Sequence, residues 1–116
     1  MHLLHIAHRA DWQESLRDGS TYAVSTRGRT LDDVGYVHAS YPEQVDDVAG
    51  FVYRDDPEEL CVLVLEPALI RQDGVRVEHE DGGDGELYPH IYGPIDRSWV
   101  VDVRPAGFDP SGRFVY

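Results

Sequence analysis

Leu60-Cys-Val-Leu-Val-Leu65 is the stretch whose reading decides the fold. It is a continuous apolar run of strand length, closed on its N-terminal side by Asp55-Asp-Pro-Glu-Glu59, and no polar residue interrupts it to face water. A strand of this kind is expected at the centre of a sheet with both faces covered. Cys61 lies within it as the single cysteine, so an internal disulfide is excluded and the thiol is read as core filling.

Upstream, Val45, Val48, Ala49 and Val52 recur at i, i+3, i+4 and i+7, which predicts an amphipathic helix. Ser40 and Glu43 stand before it in the Ser-x-x-Glu capping pattern, and residues 35–40 read as a strand running into that helix. Residues 2–7 predict a first strand, and Asp11 with Glu14 predicts the cap of a helix that Gly19 ends. A brief strand over residues 21–24 then leads into residues 25–33, whose Arg, Gly and Thr content predicts a polar, mobile loop.

Downstream, residues 74–78 alternate as a half-exposed strand does, and residues 81–85 have turn composition. Pro89 inside residues 87–92 argues for an irregular or edge strand. Trp99, Val101 and Val103 alternate before Pro105. The expectation is an α+β protein with one domain over residues 1–105 and a C-terminal tail over residues 106–116, docking through Phe108, Phe114 and Tyr116. No Gly-x-Gly-x-x-Gly element follows a strand, so a dinucleotide site of the doubly wound kind is not indicated.

The 116 residues carry 22 acidic against 10 basic side chains, a formal charge of −12, and every basic residue is Arg. That charge repels nucleic acid and anionic membranes, while an Arg pocket for one anionic small molecule remains compatible with it. The absence of Lys removes Schiff-base chemistry. No apolar stretch approaches the ~20 residues that span a bilayer, and the cytoplasm is the expected compartment. The sequence gives no reading of oligomeric state.

Three histidines fall in or beside predicted strands: His5, His38 and His90. Imidazole both donates and accepts hydrogen bonds and titrates near neutrality, so its repeated use there predicts one shared polar pocket. Ser40 follows His38 by two residues, on the same face of an extended strand. Glu86 is a candidate general base beside His90, and Tyr36, Tyr88 and Tyr92 are candidates for stacking on a planar ring. His8 and His79 have acids around them, but no His-x-x-x-His or Cys pair supplies ligand spacing, so no metal is expected. A Ser-His-Asp hydrolase lacks its Gly-x-Ser-x-Gly elbow.

Three blocks, Leu4-His-Ile-Ala7, Gly35-Tyr-Val-His-Ala-Ser-Tyr-Pro-Glu-Gln44 and Gly85-Glu-Leu-Tyr-Pro-His-Ile-Tyr-Gly-Pro-Ile95, resemble the signature blocks of the bacterial domain-of-unknown-function family numbered 952. The resemblance spans roughly residues 2–104 and implies an ADP-ribosyltransferase-like fold, a split and curved β-sheet with two short helices and a cleft that holds NAD in active relatives. The first half is also similar to the catalytic domain of RNA 2′-phosphotransferases, although the winged-helix RNA-binding part is missing. By that similarity His5 would meet the adenosine-side ribose or a phosphate, and His38 and Ser40 the nicotinamide-side ribose.

If the chain is an enzyme of this kind, it breaks or transfers the N-glycosidic bond of NAD. Glu86 and His90 would then be catalytic, with Tyr92 as a binding residue and Arg27 or Arg29 neutralising the pyrophosphate. The alternatives are a non-catalytic small-molecule or nucleotide-binding module and a metal-dependent hydrolase. The expected ligand is a small molecule or nucleotide, with no nucleic acid and no membrane as partner.

Overall fold

The computed structural model of the chain describes residues 1–19 and 21–116. Leu60–Leu65 forms strand β5, and all six of its residues are buried. It lies between β1 (Leu3–His8) and β8 (Val100–Phe108), antiparallel to both. Strand β9 (Phe114–Val115) follows β8 at the edge, giving the order β1-β5-β8-β9. Because successive side chains point to opposite faces, β5 feeds two cores at once. Cys61, Leu63 and Leu65 pack with Leu3, Trp12, Val37, Ile91 and Trp99, while Leu60, Val62 and Val64 pack with Leu4, Ile6, Val45, Ala49 and Phe114. Burial raises the Cys61 thiol to about 11, consistent with an unreactive packing role.

A second antiparallel sheet has the order β4-β7-β6, from β4 (Val37–His38), β7 (Leu87–Ile91) and β6 (Val77–Asp81). The two sheets are stitched where Leu4 and Ser40 exchange backbone hydrogen bonds of 2.7 and 2.8 Å. A hairpin of β2 (Val24–Thr26) and β3 (Arg29–Thr30) stands beside them. The architecture is mixed α+β with open antiparallel sheets.

Four α-helices are present among the described residues, where two were expected: α1 (Arg9–Asp18), α2 (Leu31–Val34), α3 (Val45–Val52) and α4 (Pro67–Gln72). Helix α1 starts from His8 rather than from Asp11, which lies in its first turn, and it ends at Gly19 with φ 71° as expected. Helix α3 follows its predicted periodicity, with Val45 and Ala49 buried, but its cap is Gln44 and not Ser40. The bridge to Leu4 holds Ser40 in extended backbone, so the capping pattern goes unused. The expected loop over residues 25–33 is instead the β2–β3 hairpin and the start of α2. Thr30 and Asp33 close a reciprocal capping box there.

Two further expectations are corrected. Strand β7 is central and not an edge strand, even though it contains Pro89. The Pro89 carbonyl accepts from Ala39 N at 3.1 Å, so the Pro nitrogen also faces that side, just past the end of β4, and the β6 ladder loses no donor. Strand β8 continues past Pro105 to Phe108 and returns as β9, with Phe114 buried and its ring 5.3 Å from that of Phe108. Residues 106–116 therefore complete the sheet and its second core. No described helix is long and apolar enough to cross a membrane.

The two-faced burial of β5 has a measurable consequence. Leu63→Ala is expected to lower unfolding free energy by about 2–5 kcal/mol, and Val101→Ala, whose side chain faces water on β8, by under ~0.5 kcal/mol. Urea denaturation of the two variants checks this; equal losses would contradict the assignment of β5 as the shared core strand.

Candidate functional site

A cleft of about 610 Å³ opens between the β2–β3 hairpin, helix α3 and the second sheet. The hairpin contributes Ser25 and Thr26, α2 contributes Val34, β4 and its approach contribute His38 and Tyr36, and α3 contributes Asp47, Val48, Phe51 and Val52. Gly82, Gly83, Asp84 and Tyr88 form the remaining wall. Phe51 stands at the rim with 93% of its surface exposed.

His38 is the imidazole that lines the cleft. Burial, reinforced by His5 and His90 nearby, lowers its pKa from 6.5 to about 4, so the ring is neutral at pH 7. His5 lies behind it, on β1, where burial against opposing backbone contacts from His38 and Val24 gives the same value of about 4. The His5 Nδ1–H donates to the His38 carbonyl at 2.6 Å, which fixes the tautomer and leaves Nε2 as the lone-pair nitrogen. The Val24 backbone beside the ring favours only a protonated imidazole, which burial opposes, and Nε2 has no hydrogen-bond partner. Tyr22 Oη and Ser25 Oγ are likewise buried without a partner among the described residues. His5, Ser25, His38 and Ser40 meet around a gap of about 10 Å³, near the lower limit for a single water.

His90 is adjacent but does not line the cleft. Its ring centroid lies 5.6 Å from that of His38, and Tyr36 stacks over it at 3.8 Å and 9°, so the tyrosine separates it from the open space. The Nδ1–H of His90 donates to Glu80 at 2.8 Å, and Tyr92 Oη donates to the same carboxylate oxygen at 2.5 Å. The Tyr92 bond, followed by that of His90, holds the Glu80 carboxyl below its ordinary range. Arg76 sits 4.3 Å from the Tyr92 ring centroid and covers its other side.

Glu86, expected beside His90, is elsewhere: Gln44 Nε2 donates to it at 3.2 Å and Tyr88 Oη lies 3.5 Å away. The carboxylates that reach the cleft are Asp47 and Asp84, and Asp84 accepts from Tyr88 Oη at 2.8 Å. The Glu86 backbone N–H and then the Tyr88 bond keep Asp84 below its usual range, and burial and that contact push Tyr88 up to about 12. Arg27 is spent on other partners, with Nη1 2.8 Å from Asp55 and 3.0 Å from the Val52 carbonyl, and Nε 3.0 Å from Asp56. Arg29 lies exposed on β3, and neither arginine lines the cleft.

The structure thus brings together His5, His38 and Ser40, sets His90 and Tyr92 behind Tyr36, and leaves Glu86, Arg27 and Arg29 outside. Sequence reading missed Glu80, Asp84, Asp47, Ser25 and Gln44. Glu80 pairs directly with Tyr88 across the β6–β7 ladder, which makes it the diagonal neighbour of His90. The alternation over residues 74–78 stops short of Glu80, whereas β6 runs over Val77–Asp81, and the pairing register that aims Glu80 at His90 is not legible in the sequence.

The fold and these blocks define a mixed α+β protein with a histidine-backed cleft. Residues 6–103 match the family described as proteins of unknown function, DUF952, and the chain belongs to that family. The crystal structure of protein CC0527 from Caulobacter crescentus superposes with a TM-score of 0.78 at 24% identity, covering 99% of this chain and 94% of the other. A crystal structure of a double mutant of that protein gives the same figures. Its solution NMR structure gives a TM-score of 0.74, covering 97% and 90%. At this identity the likeness shows the fold. No curated protein matches the chain.

Two outcomes test the site. The folded His38 ring takes a proton near pH 4 and the unfolded one near 6.5, so the unfolded state binds more protons in that window. The stability that neutral His38 contributes is therefore complete above pH 6.5 and lost as pH falls toward 4. NMR titration of its Cε1–H resonance is expected to show a midpoint near 4, and a midpoint above 6 would contradict the buried, neutral ring. A Cβ at Gly82 would lie 2.5 Å from the Tyr88 ring, so Gly82→Ala should displace that wall and cost about 1–3 kcal/mol in thermal or urea unfolding.

Proposed function

We propose that the cleft binds the nicotinamide–riboside end of NAD or a chemically similar cationic N-riboside, and that the chain breaks or transfers that N-glycosidic bond. One observation carries the reading: Tyr36, Tyr88 and neutral His38 share a cleft with the carboxylates Asp47 and Asp84. Flat aromatic walls with negative charge nearby suit a planar cation, because the ring faces and the carboxylates both attract positive charge. A neutral imidazole offers a lone pair to a ribose hydroxyl without repelling that cation.

Cleavage of the bond from ribose C1′ to the pyridinium nitrogen returns the electron pair to nitrogen and releases neutral nicotinamide. Positive charge then develops on C1′ and its ring oxygen, as in glycoside cleavage, and a fixed carboxylate lowers the energy of that state. Asp84, held by Tyr88, is better placed for this than Glu86, which lies outside the cleft. Water or another acceptor would bond to C1′ and lose its proton. The pyrophosphate has no arginine among the lining residues and would extend toward solvent.

A second reading, a non-catalytic binding module, is favoured by the engagement of Glu86 with Gln44 and by the screening of His90 behind Tyr36. Calorimetric titration with NAD, ADP-ribose and nicotinamide tests the ligand. Binding of NAD and nicotinamide is expected, with His38→Ala weakening NAD by about tenfold, equivalent to ~1.4 kcal/mol. No binding of either at millimolar concentration would refute the assignment. Mass spectrometry after incubation with NAD separates the two readings, because a module releases no free nicotinamide.

A further inference from the structure

A second polar cluster lies outside the cleft, where the end of β1 meets the turn after α3. His8, Asp56 and Glu58 each offer one ligand atom there, and these atoms all lie within 4.8 Å of one another. His8 Nε2 faces Asp56 Oδ2 at 2.5 Å and Glu58 Oε2 at 3.8 Å. Its other nitrogen, Nδ1, faces the Asp11 carboxylate at 3.6 Å. An imidazole with two carboxylates at one nitrogen and a third behind the other has the arrangement that orients metal-ligating histidines.

Local geometry fixes the acids. Asp56 Oδ1 accepts from Glu58 N at 2.9 Å, so one turn sets both carboxylates, and the Asp56 side chain is 2% exposed. Three carboxylates, Asp11, Asp56 and Glu58, face one imidazole, and the guanidinium in contact is Arg27, with Nε 3.0 Å from Asp56 Oδ2. Arg27 is shared with Asp55, so even with a charged His8 the four acids around this partly buried point outnumber the cations. The excess negative charge favours a divalent cation.

We propose that His8, Asp56 and Glu58 bind a divalent transition metal ion of zinc type, with Asp11 facing the other nitrogen of His8 and Arg27 Nε bonding the same Asp56 oxygen that would meet the metal. Imidazole with carboxylates selects zinc and its neighbours over magnesium or calcium, which prefer oxygen alone. Metal–ligand bonds of ~2.0–2.2 Å require His8 Nε2 and Asp56 Oδ2 to open to ~3.4 Å in a tetrahedral site. Glu58, 61% exposed, is free to swing inward as the third ligand. None of the three residues lines the cleft, so this site stands or falls apart from the NAD reading.

The test uses the full chain stripped with chelator and titrated with zinc sulfate by calorimetry, with cobalt(II) absorption as a second readout. Saturable binding of one zinc per chain is expected, together with a cobalt visible band that zinc displaces. His8→Asn, which keeps a good helix cap, should abolish both signals. Glu58→Gln, at an exposed position that folding does not need, should weaken zinc by about tenfold or more. His79→Asn, whose ring bonds Tyr41 elsewhere on the surface, should leave binding unchanged. No saturable binding at millimolar zinc, or binding unaffected by Glu58→Gln, or an equal loss in His79→Asn, would each overturn the proposal.

Discussion

A strand with six apolar side chains in succession has to be covered from above and below, and nearly everything else in this chain is arranged to do so. Strand β5 takes neighbours on both edges, so its backbone donors and acceptors are paired, and its two faces recruit two separate cores. The α3 helix and the β8–β9 hairpin close one face. The second sheet, Trp12 and Trp99 close the other. Each fully buried Leu or Val contributes about 1.5–3 kcal/mol, and no other element concentrates so many. The cleft lies where the second sheet, joined to β1 through the Leu4–Ser40 bridge, meets the β2–β3 hairpin and α3.

Placing imidazoles in this setting has an electrostatic consequence. His5 and His38 lie so close to the core that the charged ring is disfavoured, and both remain neutral well below physiological pH. Neutral rings are acceptors and weak bases, not cations, so the histidine end of the cleft does not attract phosphate. The acids Asp47 and Asp84 push in the same direction. A chain with a formal charge of −12 thus continues its surface character into the cleft.

Arginine is distributed differently. Arg27 joins the hairpin to the turn after α3 by way of Asp55, Asp56 and the Val52 carbonyl, and His8 reaches the same Asp56 from β1. These contacts tie β1 and the hairpin to the turn after α3, and the hairpin and α3 also wall the cleft. The guanidinium acts on the protein's own carboxylates, which is why an arginine expected to meet a ligand is unavailable to one.

Local pattern sufficed wherever one residue type has one physical outcome. The β5 run, the α3 periodicity, the stop at Gly19 and the shared face of His38 and Ser40 were readable, because side-chain alternation, helical spacing and backbone freedom act within a few residues. Tertiary structure decided the rest. Ser40 could cap a helix or extend a strand, and the Leu4 bridge chose the strand; Pro89 could break a sheet or enter it, and the short neighbour β4 let it enter. Whether Glu80 or Glu86 met His90, and whether Arg27 met solvent or Asp56, depended on strand register and on contacts between residues 10 to 29 positions apart. A single sequence sets the menu of partners for a charged or polar side chain. Only the packing of distant elements settles which partner lies within 3 Å, since hydrogen bonds and ion pairs at this range are decided by position rather than by propensity.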